Sequence, residues 1–260
     1  MRLKLYQIDA FTEKPFTGNP AAVVPLPSWI PDHLLQYIAL ENNLSETAFF
    51  VKTDSKYEIR WFTPEQEVDL CGHATLATAY VIFNSFDPEN DDLSFHSKSG
   101  PLNVFRNENE MISLNFPSRK PEHVAQKQDF TDCFNKEPIS VWKSRDYLFE
   151  YSNEQEIINL QPEFDVISNL DCLGLIVTAK GKKYDFVSRF FAPKVGIPED
   201  PVTGSAHSTL IPFWSEKLNK DVLTAYQCST RGGELFCENI GDRVIISGRA
   251  VQYLEGEIDI

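Results

Sequence analysis

The sequence predicts an α+β protein of two pseudo-symmetric domains, each a curled, mostly antiparallel sheet around a central helix. Three observations carry that expectation. First, the chain repeats itself: Arg60-Trp-Phe-Thr-Pro64 matches Arg189-Phe-Phe-Ala-Pro193, an offset of 129 in 260 residues. After each copy comes a turn-rich acidic segment and then a glycine opening a helix, Gly72-His73-Ala74-Thr75-Leu76 and Gly204-Ser205-Ala206-His207-Ser208-Thr209-Leu210. A strand, loop and helix recurring in order at one offset is the mark of a duplicated unit. Second, the helix after Gly72 is apolar on nearly every face, as a helix enclosed by other structure must be. Third, short alternating runs bounded by turn residues fill most of the remaining chain and read as strands.

The elements follow in order. A strand is expected near 2–9 and a helix near 31–42, where Pro31 lies near the first turn and Leu34, Leu35, Ile38 and Ala39 fall at helical spacing. Strands near 46–52 and 57–62 precede the central helix near 73–84, and strands near 101–106 and 111–116 close the first half. The stretch 117–139 is polar and flanked by proline, which suits a linker or crossover. It divides a half 1–118 from a half 119–260, with the termini free to cross between them. Strands near 139–143, 147–151, 172–179 and 184–191 follow. A helix near 205–218 then leads to strands near 223–228, 233–237, 243–248 and 251–258.

Composition bounds the function. Hydrophobic residues make up 42% of the chain and include 19 Phe, enough for packed cores and against disorder. With 38 acidic against 24 basic residues the net charge is −14, so nucleic acid and anionic membrane are repelled as partners. A small anionic substrate is not excluded, because local backbone donors outweigh a distant net charge. No apolar run approaches the ~20 residues that cross a bilayer, and the charged start does not read as a signal peptide, so a cytoplasmic location is expected. The five cysteines, Cys71, Cys133, Cys172, Cys228 and Cys237, are odd in number and far apart. Their spacing matches neither a disulfide framework nor a zinc site, and no metal is expected.

Chemistry concentrates at the two helix starts, where unpaired backbone N–H groups and a partial positive charge suit a carboxylate or an enolate-like oxyanion. Gly72 and Gly204 let a ligand approach the backbone there. If the halves face each other, both starts point into one cleft. His73 stands where the dipole disfavours imidazolium. It reads equally as a capping or core histidine and as a neutral, proton-sharing group. His207, deeper in the second helix, reads as packing. Glu46 sits where a helix gives way to an apolar strand; partial desolvation there raises a carboxyl pKa and suits it to taking and returning a proton. An exposed glutamate at a strand edge is the competing reading. Asp200 is held between Glu199 and Pro201 just before the second helix, and Asp69 has the matching place in the first half.

The phrases Gln7-Ile-Asp-Ala-Phe-Thr12, Gly18-Asn19-Pro20-Ala-Ala-Val-Val24, Leu44-Ser45-Glu46-Thr47-Ala-Phe49, Asp69-Leu-Cys-Gly72-His73-Ala-Thr75 and Glu199-Asp200-Pro201-Val-Thr203-Gly204-Ser205-Ala-His207 resemble those of the phenazine-biosynthesis isomerase family, the PhzF-like proteins. Similar phrases run in order from residue 3 to about 250. The resemblance implies a diaminopimelate-epimerase-like fold and a cofactor-independent isomerase whose site lies in the interdomain cleft. It makes Glu46 the acid/base, places His73, Asp200 and Ser205 around the substrate, and gives its carboxylate to the backbone at Gly72 and Gly204. Asn19 and Ser45 become orienting residues. A homodimer is implied by the resemblance alone.

Two rivals stand beside this reading. One is an epimerase or racemase on an amino-acid-like substrate, using Glu46 with Cys71 or Asp200. Distant epimerase relatives use two cysteines, whereas here the loop from Asp200 to Ser205 has none, so Cys71 reads as a buried small residue. The other is a small-molecule binding protein that keeps the fold without turnover.

Overall fold

The computed structural model describes residues 1–53, 56–107, 109–125 and 130–260. They form two compact units, Met1–Phe116 with Ile246–Ile260, and Pro117–Ile245. In the first unit, β1 (Arg2–Ala10) pairs antiparallel with β2 (Asn19–Leu26). The helix α1 (Asp32–Asn42) carries the chain over to β3 (Glu46–Lys52), which lies parallel to β2. Leu35, Ile38 and Ala39 form the buried stripe of α1, and Asn43 stops it in a left-handed conformation whose N–H reaches the Ala39 carbonyl. The strand β4 (Tyr57–Phe62) runs antiparallel to β3, and the two-residue β5 (Glu67–Val68) folds back on it.

Next comes α2 (Gly72–Val81), in which every residue but Tyr80 is buried. It packs on β1, β2 and β3, which is why its sequence is apolar all round. The expected helix to residue 84 ends early as a regular α-helix, passing into a π-helical turn at Ile82–Phe86. Then β6 (Asp92–Ser97) pairs parallel with β4, and β7 (Gly100–Arg106) and β8 (Ile112–Pro117) follow antiparallel.

The second unit repeats this plan. After β9 (Glu122–His123), β10 (Ser140–Lys143) pairs antiparallel with β11 (Tyr147–Glu150). Two short helices, α3 (Glu154–Asn159) and α4 (Phe164–Ser168), lead to β12 (Leu175–Lys180), parallel to β11. The strand β13 (Phe186–Ala192) is antiparallel to β12, and β14 (Ile197–Asp200) folds back on it. The helix α5 (Gly204–Leu218) follows; β15 (Val222–Gln227) is parallel to β13, and β16 (Gly233–Asn239) antiparallel to β15. The order of antiparallel, parallel, antiparallel, fold-back, helix, parallel and antiparallel steps thus recurs from one unit to the other.

The repeated pentapeptides occupy β4 and β13, and each arginine makes the same bond. Arg60 grips both oxygens of Glu67 at 2.7 and 2.8 Å, and Arg189 grips both oxygens of Glu199 at 2.7 and 2.9 Å. Each bidentate pair ties its strand to the short strand that folds back on it.

Two places bear on the expected division. Among the described residues of 117–139, β9 pairs with β10, and Phe130, Cys133 and Phe134 are buried in the core of the second unit with Phe149, Tyr151 and Phe191, so these residues pack into the second unit and are not a free linker. The chain's end crosses to the first unit, a crossing that the expected halves left open. After β17 (Arg243–Gly248), β18 (Ala250–Asp259) pairs with β1 from Arg2↔Asp259 to Ala10↔Ala250, with an irregularity between Gln7 and Ile8. Its partner lies at the other end of the sequence, so local pattern shows a strand there but not the sheet it joins. Among the described residues no helix is long and apolar enough to cross a membrane.

Candidate active site

In the first unit the site is assembled by parallel pairing. Register places Ala21 opposite Glu46, so Asn19 and Glu46 begin β2 and β3 at the same edge of the sheet. Gly18 turns the chain into β2 with φ +69°, and a Cβ there would lie 2.2 Å from the Ala10 carbonyl oxygen; only glycine fits. Asn42 donates to the Thr47 hydroxyl at 3.1 Å and fastens the end of α1 to the start of β3 beside Glu46. The first turn of α2, packed on both strands, brings His73 over this edge.

His73 is the hub. Its Nε2 lies 3.2 Å from Glu46 Oε2, a close contact without the alignment of a good hydrogen bond. Its Nδ1 lies 3.1 Å from Asn19 Nδ2 and 3.5 Å from Cys71 Sγ. Only 3% of His73 and 9% of Glu46 is exposed. Burial pushes the imidazole pKa down from 6.5 to about 3, so the ring is neutral at neutral pH. A neutral ring has one N–H. The amide nitrogen of Asn19 can only donate, so Nδ1 accepts and the ring proton sits on Nε2, facing the carboxylate. Asn19 therefore acts through His73, setting its tautomer. The ring is buried and neutral, as both readings of His73 allow, and its Nε2 faces Glu46.

The N-cap of α2 is Cys71, whose side chain makes no capping bond. Ser45 precedes Glu46 and is half-buried. Glu46 is no exposed strand-edge glutamate: its surroundings are the imidazole, the Cys71 sulfur and the apolar strand. One ligand atom each from Glu46, Cys71 and His73 lie within 4.8 Å of one another, so this cluster could also hold a metal ion.

The second unit has its own cluster. Asp200 ends β14, 7% exposed, and accepts a hydrogen bond from the Thr203 hydroxyl. Gln227 completes a closed ring: its amide nitrogen donates to the Asp200 carbonyl at 2.7 Å, and its oxygen accepts from the Thr203 N–H at 2.9 Å. Polar bonds from Thr203 and Gln227 thus hold this loop, in addition to the flanking prolines. Gly204 opens α5, and the hydroxyl of Ser205 accepts from Arg145 at 3.3 Å. His207 is fully buried, donates from Nδ1 to the Thr203 carbonyl at 2.8 Å and packs on Phe186. Asp69, the counterpart of Asp200, is exposed, so the pseudo-symmetry does not extend to this carboxylate.

Sequence reasoning named Glu46, His73 and Asn19 in one unit and Asp200, Gly204 and Ser205 in the other, and each group is brought together within its unit. It missed Gln227. A signal was present: Leu223, Ala225 and Gln227 share the buried face of β15, and a glutamine in that phase demands buried partners.

The sequence profile of the phenazine biosynthesis-like proteins, PhzC-PhzF, matches residues 8–256. The chain is 47% identical over 260 residues to a protein of Pseudomonas aeruginosa described as an uncharacterized isomerase, covering all of both. The crystal structure of a PhzF-family phenazine biosynthesis protein from Enterococcus faecalis has a TM-score of 0.97 at 47% identity, again over the whole of both chains. A hydroxyproline epimerase from Agrobacterium vitis, 8% identical over 99% of this chain and 92% of its own, shares the fold with a TM-score of 0.63.

Proposed function

Starting from a chain that belongs to the phenazine biosynthesis-like, PhzF, family, whose relatives include isomerases, we propose that it is a cofactor-independent isomerase. It moves a proton between two carbons of a small carboxylated substrate. The observation that carries this reading is the buried set Asn19, His73 and Glu46, in which a neutral imidazole with a fixed tautomer faces a carboxylate.

In this scheme the Glu46 carboxylate takes a proton from carbon, and the electron pair left behind delocalises toward the substrate carboxylate. Glu46, now a carboxylic acid, returns the proton to a second carbon and is restored. No oxidant or co-reactant is consumed. His73 faces the Glu46 carboxyl from Nε2 and does not carry the proton itself, because an imidazolium is costly at a buried site on a helix start. Backbone N–H groups at Gly72 stabilise the charge that grows on the carboxylate side. The same reading gives Gly204 a carboxylate-binding role, Asp200 an orienting or protonating one, and Ser45 and Ser205 contacts with the substrate. The substrate's negative charge is met by helix starts, which reconciles it with a net charge of −14.

The position of Cys71 supports a second reading. Its sulfur lies 3.5 Å from the His73 ring and within 4.8 Å of a Glu46 carboxylate oxygen, so an epimerisation shared by Glu46 and Cys71 is the rival isomerase chemistry. Glu46→Gln separates catalysis from binding: fold and ligand affinity stay close to wild type while turnover is lost. Full turnover by Glu46→Gln would refute the assignment, and inversion of a stereocentre that disappears in Cys71→Ser would favour the rival.

A further inference from the structure

We propose that Glu46, Cys71 and His73 form a binding site for Zn2+, and that the ion, once bound, silences the chain by taking the acid/base. The second clause rests on the isomerase reading; the first rests on geometry alone. One atom from each residue lies within 4.8 Å of the others, and all three residues are buried. An ion takes one ring nitrogen of His73, and each of the two nitrogens already has one neighbouring ligand at a suitable spacing. Cys71 Sγ and His73 Nδ1 are 3.5 Å apart, and Glu46 Oε2 and His73 Nε2 are 3.2 Å apart. Tetrahedral zinc, with bonds of about 2.3 Å to sulfur and about 2.0 Å to nitrogen or oxygen, spaces its ligands by roughly those amounts. Either ring nitrogen therefore needs only the third ligand to close in.

The donor set selects the ion. Sulfur and imidazole nitrogen favour zinc and its neighbours over magnesium or calcium. Charge balance favours it too: on binding, the Cys71 thiol releases its proton to solvent, and thiolate plus carboxylate neutralise the dication in a buried place. Three protein ligands leave a fourth position for water or a substrate carboxylate. The linear pattern hides the site because Cys71 and His73, at the start of α2, are separated by one residue and Glu46 comes from β3. An ion held by Glu46 prevents that carboxylate from accepting a proton from carbon, so zinc occupancy and turnover exclude each other.

The test uses the full chain, freed of metal, and Co2+ as the spectroscopic probe. One equivalent is expected to produce a thiolate-to-cobalt charge-transfer band, and Zn2+ is expected to abolish it by displacement. Cys71→Ser should lose the band and weaken Zn2+ binding at least about tenfold, while Glu46→Gln should keep the band with similarly weakened binding. Circular dichroism checks that each variant is folded, and Glu46→Gln carries the test alone if Cys71→Ser is not. Absence of a thiolate band in the wild type overturns the proposal. So does a band of full strength in Cys71→Ser, or Zn2+ affinity unchanged in Glu46→Gln. Zinc binding as described together with undiminished turnover in Glu46→Gln would leave the metal site standing and refute the isomerase reading.

Discussion

Histidines 73 and 207 lie in the first turns of α2 and α5, and burial treats them alike: their pKa values fall from 6.5 to about 3 and about 4. Their partners differ. His73 faces a carboxylate, whereas His207 donates to a backbone carbonyl and packs on an aromatic ring. Both folded pKa values are depressed, so the unfolded chain binds the protons that the folded chain refuses. Stability from each neutral ring is complete above about pH 6.5 and drains as pH falls toward the folded pKa. His207→Gln removes one such ring outside the proposed acid/base set. The difference in unfolding free energy between wild type and this variant should change by about 1.4 kcal/mol per pH unit between pH 6 and 4.5. Urea titrations at four pH values check it; parallel stability curves would contradict it. At this scale Glu46 and His73 were legible because they stand in recognisable phrases at element boundaries. The tautomer set by Asn19 and the Gln227 ring were not, since each joins residues from separate elements, and the Cys71 contact was not, since it depends on how two neighbouring side chains turn at the start of α2.

Among the elements, β2 was not expected, and the reason is physical. Asn19–Leu26 contains two prolines, which argue against a central strand because proline cannot donate to a ladder. The register resolves the conflict. Pairing with β1 covers residues 19–23 and pairing with β3 covers 21–26, so Pro20 has only the β1 neighbour and Pro25 only the β3 neighbour. Each proline sits where one side of the strand is unpaired. The repeated arginines were legible as a repeat but not as ion pairs, since Glu67 and Glu199 lie at different spacings in the two copies. Pairing, chiefly with Arg60, holds the Glu67 carboxyl below the usual carboxylate range against burial, which pushes it the other way. Arg189 does more: besides Glu199 it donates to the carbonyls of Ile157 at 3.2 Å and Leu160 at 2.9 Å, at the end of α3. Arg189→Met should cost about 2 kcal/mol in urea unfolding. Arg60→Met should cost less, because Glu67 keeps Lys98 as a partner. Equal losses would contradict this account.

For the whole molecule, the internal repeat was the most informative feature. It foretold the shared order of strands and helices in both units, because duplicated sequences keep hydrophobic phase and turn positions. It left the termini free to cross but did not give the strand at Ala250–Asp259 its partner, β1, in the first unit. The pairing of β18 with all nine residues of β1 makes the C-terminus a structural part of that unit. Ending the chain at Gly248 strips β1 of this partner and leaves a long bare edge. Amide protection in β1 and β2 should fall sharply in that variant, measured by hydrogen exchange; unchanged protection would contradict the assignment of this strand.

The central claim is that Glu46 moves a proton to and from carbon. The most direct measurement follows carbon-bound hydrogen in D2O by NMR, with small carboxylates bearing an acidified C–H offered to wild type and to Glu46→Gln. The account predicts that wild type washes deuterium into at least one of them at the carbon that gains a proton, and that Glu46→Gln, still folded, does not. Exchange at the same rate in both proteins would contradict it.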